Sequence, residues 1–197
     1  MDIHGVTFVY GLLAVVGILV LAWFGLMFAA SRLSEGIAES YANVRRRLTP
    51  LSLTLAWSVA TLAMAGSLYF SEIANFPPCT LCWYQRIAMY PLVLILGIAA
   101  IRRDIGIRIY AIPLALIGAG IATYHYILEW FPEIDTGACV VGTPCTTVWF
   151  REFGFVSIPF LALVAFLLII TFLLIPQRRA TGDHELPESS EDGEVES

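Results

Sequence analysis

Pro78-Cys79-Thr80-Leu81-Cys82-Trp83-Tyr84-Gln85-Arg86 is the stretch on which the reading of the whole chain depends. Two cysteines stand three apart, with prolines before them and an apolar run after them. Pro77-Pro78 forbid a helix from continuing into this stretch, and the apolar residues beyond it predict a helix leaving it. Cys82 then falls in the first turn, where unpaired backbone N–H groups and the helix dipole favour negative charge. Arg86, one turn further on, projects on the same face. Both features favour the thiolate, the species that exchanges disulfides and donates electrons. The pattern is suited to thiol redox chemistry at the mouth of an apolar helix.

The rest of the chain is built to hold such a site in a membrane. Of 197 residues, 58% are hydrophobic and only 14% charged, against about a quarter charged in soluble domains; the mean hydropathy is +0.79. The net charge of −5 comes from a tail in which seven of the sixteen acidic residues occupy the last fifteen positions. Without it the chain is slightly basic, so neither an acidic nor a nucleic-acid partner is implied.

Five apolar runs predict an all-α membrane protein. The first, 6–30, is long enough to span a bilayer. It lacks the basic n-region and short core of a signal peptide, so it reads as an uncleaved anchor. The others are 51–73, 83–101, 109–130 and 153–175. Gly118 and Ala122 give the fourth a small-xxx-small contact face. Three units follow: an anchor and polar linker over 1–50, a redox domain over 51–176, and an acidic tail over 177–197. The tail lacks the apolar residues needed to order itself. Nine arginines fall after spans one, three and five, and only Arg86 and Arg151 fall on the other side. The positive-inside rule then puts the N-terminus outside, the C-terminus in the cytoplasm, and all four cysteines on the extracytoplasmic face.

Cysteines in pairs on an oxidising face read first as two disulfides, Cys79 with Cys82 and Cys139 with Cys145. As mere staples they would contribute little, since loop-closure entropy gives roughly 2 kcal/mol for rings this short. Gly142-Thr143-Pro144 supplies a turn that lets the second ring close. Zinc is disfavoured, because the second pair is C-x5-C in a loop and the compartment oxidises thiols; no metal is expected. His125, near the outer end of the fourth span, reads either as an interfacial polar residue or as a ligand contact, and Arg86 either as an active-site cation or as a headgroup anchor. Trp83, Tyr84, Tyr124, Tyr126 and Trp130 make an outer aromatic belt.

The run Cys79-x-x-Cys82 followed by Gln85-Arg86 at the start of a span resembles the C-x-x-C-x-x-x-R signature of the DsbB family, disulfide bond formation protein B. The likeness extends over about residues 51–175. A histidine closes the next span ahead of Leu128 to Pro132, a second cysteine pair follows in the next outer loop, and Ser157-Ile158-Pro159 stands near the start of the last span. The short Cys139–Cys145 spacing is similar to the BdbC-type subgroup of Gram-positive bacteria. The resemblance implies a four-helix transmembrane bundle, to which the first span is an addition, in a bacterial cytoplasmic membrane. It also implies an enzyme, a protein-dithiol:quinone oxidoreductase. Members reoxidise a DsbA-like thioredoxin-fold thiol oxidase and pass its electrons to membrane quinone, ubiquinone or menaquinone. That is the family's established chemistry rather than a deduction from these residues. By position, Cys79 and Cys82 would be the quinone-linked pair, with Cys82 beside the quinone. Cys139 and Cys145 would face the partner, Arg86 would assist quinone reduction, and His125 would lie near the quinone. A vitamin K epoxide reductase-like quinone reductase has its C-x-x-C after the loop pair rather than before it. A scaffold with structural disulfides would reduce no quinone.

Overall fold

The computed structural model describes residues 3–135, 137, 139 and 142–175. They form six α-helices: α1 (Ile3–Ala30), α2 (Glu35–Leu48), α3 (Ser52–Leu68), α4 (Thr80–Arg102), α5 (Arg108–Trp130) and α6 (Ile158–Leu174). Among the described residues the only β-pairing is an isolated bridge between Glu152 and Val156. The helical stretches over 3–30, 35–73, 80–102 and 105–130 are long and apolar enough to cross a membrane, and α6 adds a shorter apolar helix. This is an all-α membrane protein, a four-helix bundle with one additional N-terminal helix. The acidic tail lies outside the described residues.

The helices follow the apolar runs closely at two boundaries and depart at two. α4 starts at Thr80, just after the prolines, and α5 ends at Trp130 as the hydropathy predicts. The second run is helical to Leu68, but its last turn, Tyr69–Ile73, widens into a π-turn. The fifth run was expected to be helical from 153; α6 begins instead at Ile158. Residues 152–156 make a tight turn in which Glu152 and Val156 exchange two backbone hydrogen bonds of 2.9 Å. Phe153 (φ 53°) and Gly154 (φ 80°) take left-handed conformations that no helix admits. The polar stretch after the first span forms α2, with Glu35 in its first turn and Arg45, Arg46 and Arg47 in its last, the arrangement the helix dipole favours.

Helices α3 to α6 pack around fully buried Leu92, Leu96, Phe166, Ile169 and Leu173. In lipid, helix association rests on close packing rather than on expulsion of water. α5 presents Ala111, Ala115, Gly118 and Ala122, all buried, and the ring of Phe166 fills the space a Cβ at Gly118 would need. α1 lies along α6 in the same direction. Thr7 Oγ1 donates to Glu152 Oε1 at 2.7 Å, and a Cβ at Gly17 would stand 2.7 Å from Val164.

This packing sorts the chemistry to two ends. Arg86 meets Ser67 where α4 starts and α3 finishes. Arg108 Nη1 donates to Leu173 O where α5 starts and α6 finishes. The four cysteines and His125 therefore share one end of the bundle. Arg45, Arg46, Arg47, Arg102, Arg103 and Arg108 share the other.

Candidate functional site

Cys79 caps α4. Its backbone is extended, and its Sγ accepts a hydrogen bond from the Cys82 N–H at 3.3 Å. The first-turn N–H expected to favour Cys82 as thiolate is thus donated to Cys79. The two sulfurs are 3.0 Å apart and both cysteines are free, so the C-x-x-C expected as a disulfide stands here as a dithiol. Cys139 and Cys145 are joined, with Cα atoms 5.8 Å apart. Gly142, at φ 90°, supplies the left-handed residue between them. The hydrogen bond from Cys82, and after it the contacts with His125, hold the Cys79 thiol well below the usual range, against burial, which pushes the other way.

His125 connects the two pairs. It is 2% exposed. Its Nε2 lies 3.1 Å from the carbonyl oxygen of Cys145 and 3.7 Å from Cys79 Sγ. A carbonyl only accepts, so Nε2 carries the proton. Nδ1 is then the acceptor, and Gln85 Nε2 donates to it at 3.1 Å. One imidazole N–H thus faces both the loop that carries one pair and the sulfur that starts the other.

The two pairs meet through their buried members, Cys145 and Cys79, while Cys139 and Cys82 are half-buried. Cys139 is half-buried and Cys145 is 1% exposed, packed in one apolar cluster with Cys79, Leu81 and Leu128. Cys82 lies beyond them on the wall of an apolar cavity of about 340 Å³, which Gln85, Arg86 and Tyr90 also line. Arg86 donates through Nε to Ser67 Oγ and through Nη2 to Ser67 O, both at 3.0 Å. Its guanidinium lies 5.2 Å from the ring centroid of Trp83. The π-turn and the loops roof this end: Phe76 stacks on Trp149 at 4.9 Å and on Phe70 at 6.2 Å.

All the expected site residues gather here, and two others join them. Gln85 orients His125. Glu129 is buried, accepts a hydrogen bond from Ser157 Oγ, and lines a crevice of about 10 Å³ with Cys79, Cys82 and His125, about the size of one water. Its signal was present in the sequence: an acidic residue one turn from His125, inside a span, where ionisable groups are costly and mark function. Cys79, Cys82 and His125 place three donor atoms within 4.8 Å of one another. The imidazole nitrogen facing the sulfurs carries the proton, however, so in this arrangement it is not a metal ligand.

Buried thiols, a paired loop disulfide and a histidine between them at one end of a helical bundle define a membrane protein of disulfide bond formation. The family model described as disulfide bond formation protein DsbB matches residues 46–176, and the chain belongs to that family. Disulfide bond formation protein C of Bacillus subtilis (strain 168) is 53% identical over 124 residues, 62% of this chain and 90% of that protein. The probable disulfide formation protein C 2 of Bacillus anthracis is 51% identical over 125 residues, 64% and 89% of the two chains. The probable disulfide formation protein of Oceanobacillus iheyensis is 49% identical over 126 residues, 62% and 86%. No solved structure matches the chain significantly.

Proposed function

We propose that this protein reoxidises a DsbA-like thioredoxin-fold dithiol oxidase and passes the electrons to membrane quinone, through a redox domain over residues 51–176. The observation that carries this reading is the placement of the sulfurs: half-buried Cys139 in the loop, buried Cys145 and Cys79 in one cluster between the pairs, and half-buried Cys82 on the wall of the apolar cavity. A thiolate of the reduced partner attacks Cys139 Sγ and Cys145 departs as thiolate. The partner's second thiol then expels Cys139, leaving an oxidised partner and a loop dithiol. In the next exchange the loop dithiol reduces the Cys79–Cys82 disulfide and closes its own ring, which moves two electrons inward.

Quinone, when bound, supplies the sink for two electrons and two protons. Cys82, Gln85 and Arg86 are the groups that would face it. The cavity fits such a molecule: its lining is chiefly apolar, with a cation and a sulfur together at one end. Arg86 stabilises negative charge developing at an acceptor oxygen. His125 holds the Cys79 sulfur as thiolate, ready to close on Cys82. Closing the Cys79–Cys82 disulfide from this thiolate–thiol pair gives up two electrons and the one Cys82 proton, and Glu129 lines the crevice beside both sulfurs.

The test is a coupled assay with purified protein. Adding a reduced thioredoxin-fold oxidase with a soluble quinone should reduce one quinone per partner disulfide formed, and Cys82→Ser should abolish quinone reduction. Partner oxidation without quinone consumption would overturn the reading.

A further inference from the structure

The family match leaves residues 1–45 outside the shared core, yet α1 is not a detached anchor. We propose that α1 forms one wall of the acceptor cavity, and that an isoprenoid quinone enters between α1 and α3, so that this added helix sets which quinone binds and how tightly. The inference rests on the proposed quinone reaction and concerns the part of the chain that the family core lacks.

Four observations support it. The cavity that reaches Cys82 and Arg86 is lined on its far side by Leu13, Ala14, Val16, Gly17 and Val20 of α1. α1 is fixed against α6, where Gly17 lets the backbone approach Val164 and Thr7 is bonded to Glu152. On its other side it meets α3 through Tyr10, whose hydroxyl donates to Leu62 O at 3.2 Å and whose ring lies over Gly66. Tyr10 stands toward the cysteine end of α1, and the cavity lining continues along α1 beyond it. Leu13 and Val16 on α1 and Leu62 on α3 border the cavity and remain 45%, 51% and 50% exposed. In the bundle such residues face hydrocarbon, so the cavity opens sideways to lipid.

The occupant follows from shape and chemistry. A volume of about 340 Å³ lies at the low end of the roughly 300–1,000 Å³ of small-molecule sites. It accommodates a ring and the first part of a chain, not a long polyisoprenoid. Cys82, Gln85 and Arg86 stand at the cysteine end of the cavity, and Leu13, Val16 and Leu62 give it an exposed apolar rim. A molecule with a redox head and a long apolar tail matches both: the head reaches Cys82 and Arg86, and the tail leaves past Leu13, Val16 and Leu62. Without α1 the same groups would open broadly to lipid.

Two experiments on the full-length protein decide the matter. Leu13→Trp and Val16→Trp narrow the mouth at positions half exposed in the fold. Each should raise the KM for a long-chain isoprenoid quinone about tenfold. Leu19→Trp, on the same helix but off the cavity, should leave it unchanged. A quinone with a photoreactive group on its tail should label peptides from both α1 and α3, and excess unlabelled quinone should compete it away. Label confined to residues 46–176, or equal KM values in all variants, would overturn the proposal. So would a loss of partner thiol exchange in parallel with the KM change, which would mark a folding defect. Label competed equally by a phospholipid would make the cavity a lipid site. If the unmodified protein reduced no quinone at all, the functional reading would fail and the wall assignment with it; normal reduction with no α1 effect would remove the wall assignment alone.

Discussion

His125 acts on a single sulfur, and that can be measured. The Cys79 thiol is held below its usual range, with Cys82 the largest cause and His125 a further one. A lowered thiol is already thiolate near neutral pH, so its alkylation rate should change little between about pH 6 and pH 8. In His125→Ala part of the lowering is lost and the folded-state value moves up toward the ordinary thiol range. The thiolate fraction at the acid end then falls, and the Cys79 rate should drop severalfold at about pH 6 while converging with the parent rate near pH 9. Mass-spectrometric localisation separates Cys79 from Cys82. A pH profile identical to the parent would remove the imidazole from the thiol's surroundings. The sequence shows His125 as a polar residue at the end of a span, but not what it touches. Its contacts, the Cys145 carbonyl and Gln85, lie 20 and 40 positions away. Neither spacing has a helical or strand period, so only the packed bundle brings them together.

Among the elements, the cysteine loop and the helix after it are where the proposed partner exchange would take place. The start of α4 was legible because prolines stop chains in a way composition displays. The start of α6 was not: Phe153, Phe155 and Val156 extend an apolar run, and hydropathy is blind to the left-handed backbone at Phe153 and Gly154 that turns the chain before Ser157. That turn leaves the loop a longer span, 131–157, with Cys139 on its outer side and Cys145 buried beneath. The difference in depth predicts which sulfur a protein partner reaches. With Cys145→Ala, the free Cys139 thiolate attacks a partner that lacks its resolving cysteine and carries a small thiol in mixed disulfide on the remaining one; the small thiol leaves and the two proteins stay joined. That linked species should persist on a non-reducing gel and vanish when Cys139 is also replaced. A small dithiol should still drive some quinone reduction through Cys79 and Cys82. A cross-link that mapped to Cys79 or Cys82 would end the two-pair relay.

Over the whole molecule, one polarity organises everything. The fold gathers the redox groups at one end and six arginines at the other, a full helix length away. Charge segregation of this kind orients a membrane protein, because basic loops are retained in the cytoplasm. It predicts that the cysteine end is extracytoplasmic, where a secreted oxidase can meet Cys139 and where thiols are not held reduced. The parallel run of α1 and α6 agrees with this, since it places the start of α1 beside Glu152 at the cysteine end. Native cysteines are poor reporters of orientation, as Cys79 and Cys145 are buried on either side. Single reporters in a variant without native cysteines avoid the difficulty. Ile134→Cys lies beyond α5 at the redox end and Leu33→Cys beyond α1 at the arginine end, both exposed. A membrane-impermeant maleimide should label Ile134→Cys in intact cells and Leu33→Cys only after permeabilisation. The reverse pattern would put the redox end in a reducing compartment, where a disulfide donor has no sink to fill. Reversal on moving Arg45, Arg46 and Arg47 to the other end would show that these charges, rather than the extra helix, set the orientation.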